Sequence, residues 1–326
     1  MSALEGIKGA RFIVVGRVGM DLSPTPPGAK TEEAAEMMVA MGGSSANIAA
    51  GLVKFGLRAD LITCVSDDAV GRYCLRQLDA YGVGRTHIRT IRGEERTSLA
   101  VYETRVEDHQ SVIYRNNAAD FQMNIADVEA VDYTAFTALI TAGTVFAAEP
   151  SRAAAFRAFE IAKAAGLPII FDIDYRPYSW PSPEVAEKVL SAAGTMANVI
   201  VGNDEEFGFM AGHIDRGLAH ARSLATSSAD IVVYKMGPEG AVTFAGGEEI
   251  RTGIYPVEAL KPTGAGDSFM AGFLASLAEG RPLREAILRG SACASIVVAK
   301  PGCAPAMPYP ADLDAFLNSR PGPTDA

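Results

Sequence analysis

The stretch TGAGDSFMAGFL, at residues 263–274, joins a glycine-rich turn to an apolar helix. The apolar residues from Phe269 to Leu274 fall on one broad face of that helix. The first N–H groups of a helix have no partner within it, and the helix dipole favours negative charge there. Glycines allow an anion to approach the backbone closely. The turn Gly264-Ala265-Gly266 is therefore predicted to stabilise charge on a transferring phosphoryl group, and Asp267 to accept a proton from an attacking hydroxyl.

Segments typical of strands and of helices alternate along the chain. Short β-branched or apolar runs predict strands at 11–18, 60–65, 138–142, 168–173, 199–201 and 231–235. Helical patterns occupy 44–55, 70–81 and 151–165. Such alternation predicts an α/β fold, a three-layer, doubly wound and mostly parallel sheet with helices on both faces.

One region departs from this alternation. Residues 97–103 and 111–115 are predicted strands joined by a polar turn, with no helix between them. We expect insertions at about 28–41 and 95–117 to form a small β-rich lid, although a plain surface hairpin is the alternative. Residues 1–318 are predicted to be a single α/β domain, followed by a disordered tail at 319–326.

Composition and charge exclude several classes of protein. The chain has 326 residues and a net charge of −10, which disfavours nucleic acid and anionic membranes as partners. No apolar run approaches the roughly 20 residues that span a bilayer, and the N-terminus lacks the apolar core of a signal peptide, so a cytoplasmic location is expected. Four scattered cysteines predict neither a disulfide framework nor a zinc site.

Two common nucleotide-binding patterns are missing from the sequence. There is no G-x-x-x-x-G-K-[ST] loop, so a Walker-type ATPase is not indicated. The glycines at 16 and 19 do not have the spacing of a dinucleotide fingerprint, which makes a nicotinamide-dependent dehydrogenase unlikely on this sequence.

Two motifs in order, GGSSAN at 42–47 and TGAGD at 263–267, resemble the signatures of the PfkB, or ribokinase-like, family of carbohydrate kinases. The resemblance implies that Asp267 is the catalytic base. It also implies that Gly43 lets the sugar lie against the backbone, and that Asn47 and Asp21 bind its hydroxyl groups. Neutral hydrogen-bonding groups with one carboxylate suit a polyol.

The same resemblance implies ATP and Mg²⁺ as cofactors. In this family, an N-x-x-E element orders water around magnesium, and Asn203 and Glu206 match it, with Glu206 acting through water. Mg²⁺ retains several waters, which makes that role physically reasonable. The remaining expected nucleotide contacts lie along the phosphates, ribose and adenine: Lys235, Gly237, Gly240, Ser291 and Ser295.

The stretch FDIDYRPYSW at 171–180 is similar to an element of family members that phosphorylate keto-deoxy sugar acids. It implies that Asp174 and Arg176 bind substrate, together with Arg115 of the lid, since arginine binds carboxylates in a bidentate manner. The favoured substrate is 5-dehydro-2-deoxy-D-gluconate of inositol catabolism, phosphorylated on its terminal 6-hydroxyl. The alternatives are 2-dehydro-3-deoxygluconate and a neutral sugar of the fructokinase or ribokinase type. Arg176 pairing only with Asp172 or Asp174 is an equally open reading.

Three further expectations concern regulation and assembly. Where relatives carry an aspartate that helps to hold a monovalent cation, this chain has Lys261, whose ammonium either replaces that charge or points to solvent. The exposed lid edges predict a homodimer through the lid. A non-catalytic sugar-binding sensor on the same fold is the hypothesis from another class, which the intact Asp267 disfavours.

Overall fold

The computed structural model describes residues 7, 9 and 11–324. Thirteen strands are found in this part of the chain: β1 (Arg11–Val15), β2 (Gly19–Thr25), β3 (Glu36–Gly42), β4 (Arg58–Ser66), β5 (Ile88–Ile91), β6 (Leu99–Tyr102), β7 (Ser111–Tyr114), β8 (Ala138–Ala142), β9 (Ile169–Asp172), β10 (Val199–Asn203), β11 (Ile231–Lys235), β12 (Ala241–Ala245) and β13 (Glu248–Thr252).

Nine of these strands form one large sheet in the order β13-β12-β11-β10-β9-β8-β1-β4-β5. The seven strands from β11 to β5 run parallel, and β12 is antiparallel to both of its neighbours, β11 and β13. The strands alternate their side chains between two cores. In β1, Ile13 and Val15 belong to one apolar cluster, and Phe12 and Val14 belong to the other. A strand that is buried on both faces has a continuous run of apolar residues, and the sequence of β1 shows such a run.

Ten α-helices complete the described fold: α1 (Ser44–Lys54), α2 (Ala69–Tyr81), α3 (Ile125–Glu129), α4 (Ser151–Ala164), α5 (Pro183–Met196), α6 (Asp204–Met210), α7 (Gly217–Ser227), α8 (Ala265–Ala278), α9 (Leu283–Val298) and α10 (Pro310–Asn318). Apolar residues of α1, α2, α8 and α9 join one core, and those of α4 to α7 join the other. The predicted three-layer arrangement, with helices on both faces of a mostly parallel sheet, is confirmed.

A second sheet has four strands in the order β3-β2-β6-β7. Strand β2 is antiparallel to β3 and parallel to β6, and β6 is antiparallel to β7. We call this four-stranded sheet the lid. It contains the predicted strands near residues 99 and 111, but its second strand, β2, lies in a segment where the sequence predicted none. Pro24 argues against a strand in the sequence, because proline has no backbone N–H to donate to a neighbouring strand. In the structure, β6 pairs only with Met20 to Leu22, so Pro24 lies beyond that pairing.

The C-terminal segment also differs from its prediction. The sequence predicts disorder over 319–326, yet residues 319–324 lie against the segment 254–256. Thr324 donates its backbone N–H to Ile254 O at 2.8 Å and accepts from Ile254 N at 3.0 Å, and Arg320 donates to Pro256 O. The proline- and glycine-rich composition of this segment does not predict these backbone and side-chain hydrogen bonds. Residues 325 and 326 lie outside the described range. Of the helices described, none is both long and apolar enough to cross a membrane.

Candidate active site

The carboxyl ends of several parallel strands meet at one edge of the large sheet, and the polar residues of this chain gather there. Asp174 follows β9, Asn203 ends β10 and Lys235 ends β11. These residues line one cavity of about 880 Å³, together with the turn before α8 and the inner face of the lid. In open α/β sheets this edge is the usual place for a ligand.

The turn before α8 is fixed by the backbone of Gly264. Gly264 has φ 88°, a left-handed conformation that favours glycine, and a Cβ there would lie 2.8 Å from Cys303 Sγ. Helix α8 begins immediately after it, at Ala265, and Gly264, Ala265 and Gly266 all line the cavity. The free N–H groups of this helix start therefore stand at the cavity wall, in the arrangement that binds anions.

Asp267 lies in the first turn of α8 and is held by a side chain of the neighbouring helix α1. Asn47 Nδ2, from α1, donates to Asp267 Oδ2 at 2.8 Å. Burial, with the charge of Asp174 adding to it, raises the pKa of Asp267 to about 6, while the bond from Asn47 opposes the shift. Asn47 Oδ1 is buried without a hydrogen-bond partner among the described residues, so it can accept from a ligand hydroxyl. The two signature motifs thus meet side chain to side chain.

The predicted sugar end lies under the lid. Asp21 extends from β2, and burial raises its pKa to about 6 against the charges of Arg17 and Lys261. Gly43 precedes α1 with φ 95°, and a Cβ there would lie 2.5 Å from Arg17 O, so only glycine fits this approach of two backbones. Asp21, Gly43 and Asn47 all line the cavity. Lid residues on the same side include Ala100, Tyr102 and Ile113.

Asp174 and Arg176 line the cavity as a pair. Arg176 Nη2 lies 2.8 Å from Asp174 Oδ1, and the charge of Asp174 raises the pKa of Arg176. The second carboxylate oxygen, Oδ2, accepts from Ser44 Oγ at 2.7 Å and Thr144 Oγ1 at 3.3 Å. The structure therefore contains the ion pair between Arg176 and Asp174 that the sequence analysis gave as one interpretation. Part of the half-exposed guanidinium still faces the cavity.

Arg115 is the one predicted binding residue that the structure does not bring to the cavity wall. Its side chain is buried, with Nη2 2.5 Å from Asp120 Oδ2 and Nη1 donating to Thr144 O at 2.9 Å. The guanidinium also lies 4.1 Å above the ring of Phe121. Both terminal nitrogens are bound by the protein, because Asp120 follows Arg115 by only five residues and turns back onto it, while Nε is buried without a hydrogen-bond partner among the described residues.

Carboxylates cluster where β9 and β10 end. Glu206 Oε2 accepts from the backbone N–H of Asn203 at 2.8 Å, and Asn203 Oδ1 accepts from Glu206 N at 2.8 Å, a capping box that fixes both side chains at the start of α6. Burial raises the pKa of both Asp172 and Glu206, and nearby carboxylates add to the shift. Lys235 is the neighbouring cation that offsets it most.

This cluster fits a magnesium ion that is held through water. No three His, Cys, Asp or Glu side chains in the described part of the chain are arranged to bind a metal directly. Buried carboxylates with raised pKa values nevertheless gain from a nearby cation. Mg²⁺ keeps several of its waters and is usually bound by few protein ligands plus phosphates. The donor set around Glu206 matches that requirement.

The other end of the cavity is formed by the segment after β11 and by α9. Gly237 and Gly240 line it, as do Ser291 and Ser295 of α9. Ser295 Oγ donates to Tyr255 O at 2.7 Å, which ties α9 to the loop 253–257. This end is lined by apolar side chains such as Ile254 and Val257 between the polar ones, as expected for a flat heterocycle.

Lys261 does not point to solvent, so that alternative is wrong. The side chain is fully buried, and its Nζ donates to Thr263 O at 2.5 Å and Val297 O at 3.3 Å. Burial lowers the pKa of Lys261, and the charges of Asp267 and Asp21 act against that shift. An ammonium group therefore stands directly behind the turn at Gly264.

Several cavity residues escaped the sequence reasoning: Arg17, Ser44, Thr144, Asp172 and Tyr178. Asp172 ends β9 and Thr144 follows β8, so for these two residues the position at the carboxyl end of a predicted strand was the available signal. Arg17 stands between two glycines whose spacing was weighed only as a dinucleotide pattern. Ser44 directly follows the predicted Gly43.

Comparisons with known proteins agree on the class of enzyme. Residues 10–310 match the profile described as pfkB family carbohydrate kinase. A protein named 5-dehydro-2-deoxygluconokinase, from Geobacillus kaustophilus, is 35% identical over 311 residues, which cover 94% of this chain and 93% of the relative.

Solved structures show the same fold at lower identity. A fructokinase double mutant from Vibrio cholerae, with fructose, ADP and potassium ion bound, superposes with a TM-score of 0.84 at 23% identity, covering 95% of this chain and 99% of that one. A protein from E. coli assigned as a ribokinase II, in complex with ATP and Mg²⁺, gives a TM-score of 0.84 at 21% identity, covering 95% of this chain and 100% of that one.

Proposed function

The chain belongs to the pfkB family of carbohydrate kinases, and from this premise we propose that it transfers the γ-phosphoryl group of ATP to the terminal 6-hydroxyl of 5-dehydro-2-deoxy-D-gluconate, a step of inositol catabolism. The observation that carries the substrate is the similarity of nearly the whole chain to a kinase named for that sugar acid. The observation that carries the chemistry is Asp267, set in the first turn of α8 and bonded to Asn47. Use of ATP favours a cytoplasmic location.

Asp267 is the general base of this proposal. A pKa near 6 leaves the carboxylate mainly ionised at neutral pH, yet basic enough to take a proton from the sugar hydroxyl as it attacks. Asn47 fixes the orientation of that carboxylate, and its free Oδ1 accepts from the sugar. Asp21 and Gly43 bind the sugar from the lid side, and Asp174 with Arg176 from the sheet side.

The N–H groups of Gly264, Ala265 and Gly266 stabilise the negative charge that develops on the transferring group. ATP supplies the phosphoryl group, and Mg²⁺ neutralises the phosphate charge when bound. Glu206 and Asn203 would hold the water around that ion. The nucleotide itself is bound by residues along the other half of the cavity: Lys235, Gly237, Gly240, Ser291 and Ser295.

In this proposal the ammonium of Lys261 supplies a positive charge behind the turn at Gly264. Its ammonium is buried against two backbone carbonyls, one of the turn and one of α9, and backbone carbonyl oxygens are also the groups that can coordinate a monovalent cation. We therefore include in the proposal that the lysine replaces such a cation, so that the enzyme works without K⁺.

The lid also carries the proposal of a homodimer. Cross-strand partners share a face, and Asp21, Ala100 and Ile113 form the cavity side. The residues between them form an opposite face that is apolar throughout the described lid: Leu22, Met37, Val39, Leu99, Val101, Val112 and Tyr114. Val39, Val112 and Tyr114 are 46%, 46% and 61% exposed. A second copy would cover this face, and a monomeric mass at micromolar concentration would contradict the dimer.

A coupled ADP-release assay over a panel of sugar acids and neutral sugars tests the function. We expect 5-dehydro-2-deoxygluconate to give the highest kcat/KM, ahead of 2-dehydro-3-deoxygluconate and fructose. A higher kcat/KM for fructose or ribose would contradict the acid substrate. Release of no ADP with any sugar, while sugar binding persists, would instead favour a non-catalytic sensor.

A further inference from the structure

Arg17 lies in the cavity wall at the sugar end, on the segment between β1 and β2. Arg17 is only 7% exposed, and the lid residues at this end of the cavity include Ala100, Tyr102 and the carboxylate of Asp21. Nη1 donates to Ser98 Oγ at 3.0 Å, whereas Nε is buried without any hydrogen-bond partner among the described residues. The guanidinium is therefore held by one edge, and the edge formed by Nε and Nη2 is unused.

An arginine in this state is costly to the free protein. The guanidinium of arginine stays charged in proteins. Burial of a charge without a partner disfavours the folded state, and buried charges are therefore normally paired. No described carboxylate lies within ion-pair distance of Arg17; Asp21 is near enough to interact through its charge alone.

The neighbouring arginines have partners of their own. Arg115 is bound to Asp120, and Arg176 is bound to Asp174. Charge interactions place all three guanidinium groups near the Tyr178 hydroxyl, so they belong to one region. Of the three, Arg17 is the one that lines the cavity without a carboxylate partner among the described residues.

We propose that Arg17 binds the carboxylate of the sugar acid through its Nε and Nη2 edge, and so selects acids over neutral sugars. The inference rests on the proposed function, since it requires an acid substrate. A carboxylate matches this edge with two parallel hydrogen bonds, a geometry that neither lysine nor a neutral donor reproduces. Arg17 takes the role that the sequence resemblance implied for Arg115.

The test compares Arg17→Met and Arg17→Lys with the wild type on two substrates. One is 5-dehydro-2-deoxygluconate; the other is its neutral analogue with a hydroxymethyl group in place of the carboxylate. We expect Arg17→Met to raise KM for the acid by about 10²- to 10³-fold, the usual loss for a buried charged contact. KM for the neutral analogue should change by less than about threefold. Arg92→Met, at an arginine with 87% of its side chain exposed, is the matched control and should change neither.

Thermal unfolding without ligand separates a binding role from a structural one. Arg17→Met should unfold at the same or a higher temperature than the wild type, because it removes an unpaired buried charge. A lower unfolding temperature combined with equal KM changes for both substrates would overturn the inference. If Arg17→Met fails to fold, Arg17→Lys decides: we expect about a tenfold rise in KM for the acid only, and an unchanged KM refutes the role.

The wild type alone tests the premise. If it phosphorylates the neutral analogue as well as the acid, the proposed acid substrate is wrong, whatever the variants do. If it prefers the acid and Arg17→Met keeps that preference, the substrate stands and the assignment of Arg17 fails.

Discussion

Asp267→Asn should remove activity and at the same time stabilise the protein. Asparagine keeps an oxygen that can accept from Asn47 Nδ2, so the contact at 2.8 Å is preserved. It cannot take a proton, and loss of a general base lowers kcat by about 10²- to 10⁴-fold. Binding of ATP and sugar should remain, because the amides of the turn are unchanged.

The gain in stability follows from the raised pKa. Asp267 titrates near 6 in the folded protein, against an ordinary value of 3.8. Two pH units correspond to about 3 kcal/mol, the free energy by which ionisation of this buried carboxylate destabilises the fold. The penalty is absent below pH about 4, grows between the two pKa values and is complete above pH about 6. Asp267→Asn should therefore unfold at a higher temperature than the wild type at pH 8, and the difference should shrink towards pH 4.

Differential scanning calorimetry at pH 4, 6 and 8, paired with the ADP-release assay, measures both effects on one preparation. Glu258→Gln, which neutralises an exposed carboxylate outside the cavity lining, is the control and should show neither change. Near-normal turnover of Asp267→Asn would refute its role as base. A variant less stable than the wild type at pH 8 would refute the account of its buried charge.

Three other outcomes are expected. For the wild type, kcat/KM should fall about tenfold per pH unit below pH about 6, as the base of the free enzyme is protonated; a flat profile to pH 5 would contradict this. Lys261→Met should lower kcat about tenfold, because it removes one charge-assisted hydrogen bond of about 1.5 kcal/mol. The wild type should be equally active with and without K⁺. Strong stimulation of the wild type by K⁺ would contradict the proposal that Lys261 replaces a monovalent cation. Arg115→Met should destabilise the fold by about 3–5 kcal/mol, because it leaves Asp120 buried and unpaired. KM for the sugar acid should change little. A rise in KM for the acid alone would indicate that Arg115, and not Arg17, binds the substrate carboxylate.

The repeating elements of the large sheet were predictable because their signals are local. The strand at 138–142 is found with the predicted bounds, and the helix predicted at 44–55 runs from Ser44 to Lys54. Strand β2 was not predictable in the same way. Its pairing with β3 and β6 is a tertiary interaction, and Pro24 gives the opposite local signal.

For the site, the positions of residues at strand ends and in the glycine turn could be predicted more readily than the partners of charged side chains. The strand ends and the turn at 264–266 bring nearly all predicted residues to one cavity. The partners of an arginine depend on which carboxylate the fold places within reach, and spacing along the chain does not report that. Asp120 takes Arg115 away from the cavity, whereas Arg17, with no such neighbour, was not singled out. Lys261 likewise became interpretable only once both of its carbonyl partners were known.

The lid is a single sheet layer, so alternate residues of each strand lie on opposite faces. One face lines the cavity and the other faces away from it. In β2, Asp21 faces the cavity while Leu22 faces away, and their partners in β6, Ala100 and Val101, alternate in step. Insertion or deletion of a single residue in β2 would exchange the two faces, because the side-chain period is two. It would turn the carboxylate of Asp21 outward and turn Leu22 towards the cavity. Evolution of this segment is thus constrained in length more strictly than in composition, and variants with altered specificity should arise by substitution rather than by indels.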